Sequence, residues 1–168
     1  MQILNDKRDS DHKVKIMDYN DLSNVNDLDE LFEDTDAVIF SLVRSINPRI
    51  SHWVCLLKKD KTYEYYNSYG FDIYKDLQIA ILDNKNYLPN LLSEKLNQGY
   101  TINFNDKQLQ QFNAKVNTCG AHVINRILFD KYTNNQYTAM ILGFCQQKNL
   151  TPDELVIIMI SSYLLKLA

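Results

Sequence analysis

The spacing of apolar residues changes several times along the chain, and each change marks an element. Within residues 18–32, Leu22, Val25, Leu28, Leu31 and Phe32 recur at helix-like intervals. Asn and Asp interrupt them, so one or two short helices are expected. Residues 36–43 form a short apolar run with β-branched members, the pattern of a buried strand. Asn47-Pro48-Arg49 signals a turn or loop. A strand from His52 to Leu57 follows and ends in Lys58-Lys59. Asp60-Lys61 then turns the chain, and Thr62 to Asn67 returns it as the second strand of a hairpin.

Phe71 to Asn97 is mainly helical in pattern, with Leu88, Leu91, Leu92 and Leu96 on one face and Pro89 in a first turn. Tyr100 to Phe104 alternates as a strand, and residues 106–112 carry Gln108, Gln110 and Gln111. Asn117 to Leu128 is a polar turn running into a helix. Val123, Ile124, Ile127 and Leu128 face a core there, and Thr118 is placed as N-cap. Tyr132 to Gln136 is loop-like, and Tyr137 to Gln147 is helical. Thr151-Pro152-Asp153-Glu154 opens a last helix with an N-cap threonine, a first-position proline and a capping-box glutamate. That helix runs to about Leu165 and is apolar enough to be buried. Residues 1–13 form a polar arm, with His12 as a surface histidine among carboxylates. The chain is expected to be one α+β domain over residues 1–168, with a central mixed sheet of about five strands flanked by helices.

Composition narrows the function. At 168 residues and 45% hydrophobic content, the chain can bury a core. A net charge of −3 argues against a broad nucleic-acid surface. The cysteines are Cys55, Cys119 and Cys145, an odd number at spacings of no metal site or disulfide framework. A reducing, intracellular setting without metal or cofactor is the expectation. No signal peptide is visible at the first residues. The longest apolar run, 155–165, is broken by Ser161 and Ser162 and is too short to cross a membrane.

The residues with chemistry fall into three groups. Cys119 opens a helix, at the positive end of its dipole, where a thiol loses its proton most easily. Gly120 beside it leaves room for a substrate backbone. His52 and Asn67 end the two hairpin strands on the same side, within side-chain reach of each other. An amide oxygen there can fix the imidazole tautomer and leave the other nitrogen as a base. A tetrahedral intermediate also needs oxyanion donors, which the backbone amide of Cys119 and an upstream glutamine can supply. His122, one turn past Cys119, is a rival base without an evident orienting partner, so it is read as a packing or helix-surface residue. Cys55 and Cys145 are read as inert core thiols.

Four short pieces occur in a telling order: Ser51-His52-Trp53-Val54, Tyr66-Asn67-Ser68-Tyr69-Gly70, Leu109-Gln110-Gln111 and Thr118-Cys119-Gly120. Together, over residues from about 36 to 131, the chain resembles the adenovirus-type (adenain-like) and SUMO-deconjugating cysteine proteases, whose order is His, Asp or Asn, Gln, Cys. The resemblance implies His52 as general base, Asn67 as its orienter, Cys119 as nucleophile and Gln110, or alternatively Gln111, as oxyanion donor. It also implies Trp53 as an aromatic residue packed beside the site, and Trp53 and Gly120 as the substrate-binding residues. Most relatives have Asp where Asn67 stands, and the interval from glutamine to cysteine is longer here. The small form resembles virus maturation proteases, which implies cleavage of capsid or other virion precursors at Gly-type sites. A monomer acting in the virion or the host-cell cytoplasm is expected. A peptide activator is possible within this group, and the acidic balance disfavours DNA in that role, although a local basic groove would permit it. Deconjugation of a ubiquitin-like modifier, or a catalytically silent binding module on the same fold, are the alternatives.

Overall fold

A computed structural model describes residues 13–44, 47–80, 85–113 and 115–167. Five strands form one sheet in the order β1-β2-β3-β4-β5: β1 (Val14–Asp18), β2 (Ala37–Arg44), β3 (Asn47–Lys59), β4 (Thr62–Tyr66) and β5 (Thr101–Phe104). The outer pairs β1–β2 and β4–β5 are parallel, and the inner pairs are antiparallel. The helices are α1 (Ile73–Ala80), α2 (Tyr87–Asn97), α3 (Cys119–Leu128), α4 (Asn134–Lys148) and α5 (Pro152–Leu167). The architecture is therefore α+β, a five-stranded mixed sheet flanked by helices.

Strand alternation sorts the core into two halves. Val38, Phe40, Leu42, Val54, Leu56, Tyr63 and Tyr65 pack with α1, α2 and two 3-10 helices at Tyr19–Asn24 and Leu28–Phe32. Ala37, Ile39, Cys55, Leu57 and Tyr66 turn to the opposite face and meet Val123 and Ile127 of α3, with residues of α4 and α5. A sheet covered on both faces needs apolar residues at successive positions, so β2 and the Trp53 to Leu57 part of β3 are nearly continuous hydrophobic runs.

Two polar clusters, the first half-exposed at Asp29 and the second buried, tie these layers together. On the first face, Asp29 accepts from Lys58 Nζ at 2.5 Å, Lys95 Nζ at 2.7 Å and Tyr63 Oη at 2.6 Å. Burial alone would raise the Asp29 carboxyl, but these donors outweigh it and hold the group well below the usual carboxylate range. On the second face, Arg126 of α3 is fully buried and pairs with Glu64 of β4. Its guanidinium also donates to Asn134 Oδ1 at 2.9 Å, Phe129 O at 3.2 Å and Tyr132 O at 2.9 Å. Glu64 Oε1 accepts from the Asn134 amide at 3.1 Å, so the pair leaves few lone pairs unmet.

Several boundaries differ from the sequence expectations. Strand β1 begins within one residue of the expected arm; residues 1–12 of that arm, with His12, lie outside the described residues. The turn expected at Asn47-Pro48-Arg49 is the start of β3, with Asn47 opposite Arg44. Proline is tolerated there because it stands near a strand end beside a register shift. Helix α4 starts three residues early, because Thr133 and Gln136 form a capping box inside the expected loop. Helix α5 keeps its predicted capping box but is not a buried helix. Leu155 and Val156 are buried, whereas Ile157, Ile158, Leu164 and Leu165 are exposed, since α5 packs on α3 and α4 along one side only. Ile124 of α3 is likewise exposed.

Arg126→Leu should lower the unfolding free energy by about 3–5 kcal/mol in a urea titration, because it strands the buried Glu64 carboxylate. A change below about 1 kcal/mol, the level of a surface ion pair, would mean that the pair does not hold α3 to the sheet.

Candidate active site at the end of the sheet

The register of the hairpin explains where the polar residues gather. Strand β4 pairs only with Cys55 to Lys59 of β3, so β3 runs on past its partner. Beside His52 the sheet has no fourth strand, and the chain after Tyr66 fills the gap with a turn. Extending the pairing of Cys55 with Tyr66 puts Asn67 level with Val54, two residues along β3 from His52. The side chains bridge that offset: His52 Nε2 lies 2.8 Å from Asn67 Oδ1. His52 also stacks on Tyr69, with ring centroids 4.6 Å apart.

The neighbours of Asn67 settle which way its amide points. The backbone N–H of Tyr69, which can only donate, meets Asn67 Oδ1 at 2.8 Å. Asn67 Nδ2 donates to the Asp76 carboxylate of α1. The atom facing His52 is therefore an oxygen, and Nε2 must carry the hydrogen that it accepts. In the neutral ring this leaves the lone pair on Nδ1, so Nδ1 is the nitrogen that can take a proton. Asn67 is itself clamped by Asn105, whose Oδ1 accepts from the Asn67 amide at 2.8 Å and whose Nδ2 donates to the Asn67 carbonyl at 2.6 Å.

The same turn sets the glutamine. Ser68 O accepts from the amides of both Leu109 and Gln110 at 2.9 Å, and Ser68 Oγ donates to Gln110 Oε1 at 2.6 Å. With its oxygen held, the Gln110 side chain presents Nε2, which donates to Val116 O at 3.3 Å on the segment leading to Cys119. Gln110 is buried and Gln111 is exposed, so only Gln110 has a fixed amide. Gly70 closes the turn at φ +70, and a Cβ there would lie 2.7 Å from the Lys107 carbonyl carbon. Glycine is required by both the conformation and the closeness of the second strand of chain.

Cys119 is the first residue of α3 and is 3% exposed. Its Sγ lies 3.9 Å from Asn117 Oδ1. The next residue, Gly120, faces Trp53: an added Cβ would meet the ring at 3.9 Å and nothing closer. Packing within the chain therefore does not demand glycine at 120. Trp53 follows His52 in β3 but points to the α3 face, while His52 points to the α1 face with Asn67. Helix α3 thus packs on β3 near Trp53, while the neighbouring His52, which lies inside β3 and does not open it as expected, bonds Asn67.

Sequence reasoning missed three residues here. Thr118 is the N-cap position of α3, but its hydroxyl makes no cap bond and donates instead to Asp153 of α5. Asp153 also accepts from the Gln111 amide at 2.9 Å and bonds His122 Nε2 at 3.0 Å. His122 is thus fully buried, the packing alternative of the two, and it has a carboxylate partner where none was evident. Burial holds its pKa below the ordinary histidine value, against the pull of Asp153. Its Nδ1 is buried without a partner among the described residues. These bonds make Asp153 a clamp on the segment that delivers Cys119. Asp76 and Asn105 were also unrecognised. Asp76 had a signal, since it shares a helix face with Ile73 and Leu77, an odd place for an acid. Burial pushes the Asp76 carboxyl up to about 7, even though hydrogen bonds from Tyr65 and Asn67 pull it down.

Cys55 is fully buried, and burial pushes its thiol up to about 12; burial raises Cys145 as well. Among the described residues no cluster of three or more His, Cys, Asp or Glu could hold a metal ion, and no helix is long and apolar enough to cross a membrane.

Comparison with known proteins adds one relative. The chain is 26% identical over 153 residues to uncharacterized protein V9 of Sputnik virophage, covering 87% of this chain and 85% of that protein. No protein-family model matches the chain. No solved structure matches it.

Gly70→Ala should lower stability by roughly 1–3 kcal/mol through its left-handed conformation, and more where the 107–108 backbone must move. Thermal unfolding checks this. A midpoint equal to that of the parent would mean that the 67–70 turn does not set the position of Gln110.

Proposed function

We propose that the chain is a cysteine endopeptidase that cuts capsid or other virion precursor proteins at small-residue, Gly-type sites. The observation that carries the reading is the 2.8 Å bond from His52 to an Asn67 amide whose orientation its neighbours force. A histidine held in one tautomer, on a strand that packs against a helix opening with a cysteine, supplies the parts of a base and its nucleophile. His52 Nδ1 takes the proton of the Cys119 thiol, and the sulfur attacks the scissile carbonyl carbon. A C–S bond forms, and the carbonyl oxygen becomes an oxyanion met by the Cys119 backbone N–H and by Gln110 Nε2. Collapse breaks the C–N bond, and the leaving amine takes the proton from His52. Water, giving its proton to His52, then hydrolyses the thioester.

Support for the substrate class is the similarity to a virophage protein of nearly the same span, together with the resemblance of the four motifs to virus maturation proteases. In that setting the enzyme acts as a monomer in the virion or in the host-cell cytoplasm, with a peptide as the plausible class of activator. Trp53 and Gly120 line the approach of the substrate backbone, since the space above Gly120 would accept a further atom.

Co-expression with virophage-type capsid precursors, followed by mass spectrometry of the cut ends, tests this directly. Cleavage after small residues is expected, and Cys119→Ala should abolish it with folding intact. Asn67→Ala should lower kcat/KM by roughly 10–10³-fold, less than the ~10⁴ that an ionised orienter can be worth. Cutting of a ubiquitin-like conjugate instead of the precursors would keep the chemistry and move the substrate class. Full turnover by Cys119→Ala would overturn the mechanism.

A further inference from the structure

We propose that Asp76 is a positioning residue for His52: acting through Asn67, it locks the amide with its oxygen toward the imidazole. This rests on the reading of His52 as the base, and it extends the site to a His52–Asn67–Asp76–Tyr65 chain. The contacts are continuous: His52 Nε2 to Asn67 Oδ1 at 2.8 Å, Asn67 Nδ2 to Asp76 Oδ1, and Tyr65 Oη to Asp76 Oδ2 at 2.5 Å.

A primary amide turned by 180° exchanges oxygen for NH₂ at the same place. Turned that way, Asn67 would point a donor at His52, force the other tautomer and oppose formation of the imidazolium. Two groups prevent the turn, the Tyr69 N–H and the Asp76 carboxylate. Asp76 is the only one of the two that carries charge. An ionised carboxylate behind the amide also polarises it, which makes Oδ1 a better acceptor for a charged ring. Asp76 is itself buried, and Tyr65 is fully buried on β4. The charged neighbours of Asp76 are Asp72 and Lys75 on α1, which oppose each other, and among the described residues no cation is bonded to it. A buried carboxylate without a salt bridge is costly to the fold, so a role in the site explains its presence better than stability does.

When Asp76 takes up a proton it loses the charge behind Asn67, and its new hydrogen has to be placed. Asn67 Nδ2 cannot accept it, so the Tyr65 hydroxyl must turn to do so. The orienting effect on His52 should therefore weaken as pH falls through about 7, the value to which burial raises Asp76.

The test compares the parent with Asp76→Asn, which can keep an oxygen toward Asn67 but has no charge, with Asp76→Ala, and with Tyr65→Phe. Nitrogen NMR of labelled histidine reads the tautomer and pKa of His52 in each. The parent should show Nε2–H in the neutral ring. Asp76→Ala should shift the ring toward the other tautomer, and both Asp76 variants should lower the His52 pKa. On a peptide substrate Asp76→Ala should lose kcat by roughly 10-fold or more at unchanged KM, within the about 10²–10⁴ that acid–base assistance is worth. Tyr65→Phe should move the acidic limb of kcat/KM to higher pH. If the tautomer and pKa of His52 are the same in parent and Asp76→Ala, both folded, the proposal is wrong. Should Asp76→Ala not fold, the same null result in Asp76→Asn and Tyr65→Phe overturns it equally. The NMR reads His52 whether or not the protein cleaves anything, so a parent without activity would count against the protease reading and leave this one standing.

Discussion

The ion pair between Arg126 and Glu64 fixes the helix that carries Cys119. It lies two helical turns past the cysteine and joins α3 to the middle of β4. Taking a guanidinium and a carboxylate out of water is expensive, and the attraction between them alone does not always offset it. Here the remaining donors and acceptors are met by Asn134, Phe129 and Tyr132, so the pair holds one height and one rotation of α3 on the sheet. Because β4 leads straight into Asn67, the same contact also sets the spacing between the cysteine helix and the turn that orients His52.

The other end of α3 is held by polar contacts of a different kind. Asp153, in the first turn of α5, gathers Thr118, His122 and the amide of Gln111. A carboxylate at a helix start is favoured by the dipole, so it serves its own helix and the cysteine segment together. Across the sheet, Asn67, Asn105, Ser68 and Gln110 form a buried network, with Asp76 behind it. The Asp76 carboxyl has a folded pKa of about 7, above its unfolded value of 3.8. Its contribution to stability is therefore full below the unfolded value and is lost as pH rises through the folded one. At neutral pH the fold keeps that carboxylate at a cost, which is the pattern of a site and not of a scaffold.

Much of the scaffold was legible because burial on both faces of the sheet leaves a plain mark. The runs in β2 and β3, the turn at Asp60-Lys61 and the capping box of Thr151 and Glu154 all come from local physics. Asp60 takes φ 48, which aspartate tolerates in a tight turn. Strand β1 was not legible, because Val14 and Ile16 are exposed on an edge strand and their neighbours are polar. The exposed half of α5 was misread for the opposite reason, since composition alone does not reveal which side of an apolar helix lacks a neighbour. In the site, the approach of Asn67 to His52 was legible from the hairpin, although His52 lies inside β3, which starts at Asn47, and Asn67 just past the end of β4. Asp76, Asn105 and Asp153 reach it only through tertiary folding, from 9, 38 and 31 residues away from the groups they bind. The buried partner of His122 was hidden in the same way, inside residues that already had a complete explanation as a helix start.

The central claim is that His52, and not His122, takes the proton of Cys119. The most direct measurement is the rate of alkylation of Cys119 by iodoacetamide against pH, with the labelled peptide identified by mass spectrometry, in the parent and in His52→Ala. The account predicts that Cys119 of the parent still reacts at mildly acidic pH, where an ordinary thiol does not, and that His52→Ala loses this acidic reactivity while staying folded. An identical pH profile for the two proteins would contradict it.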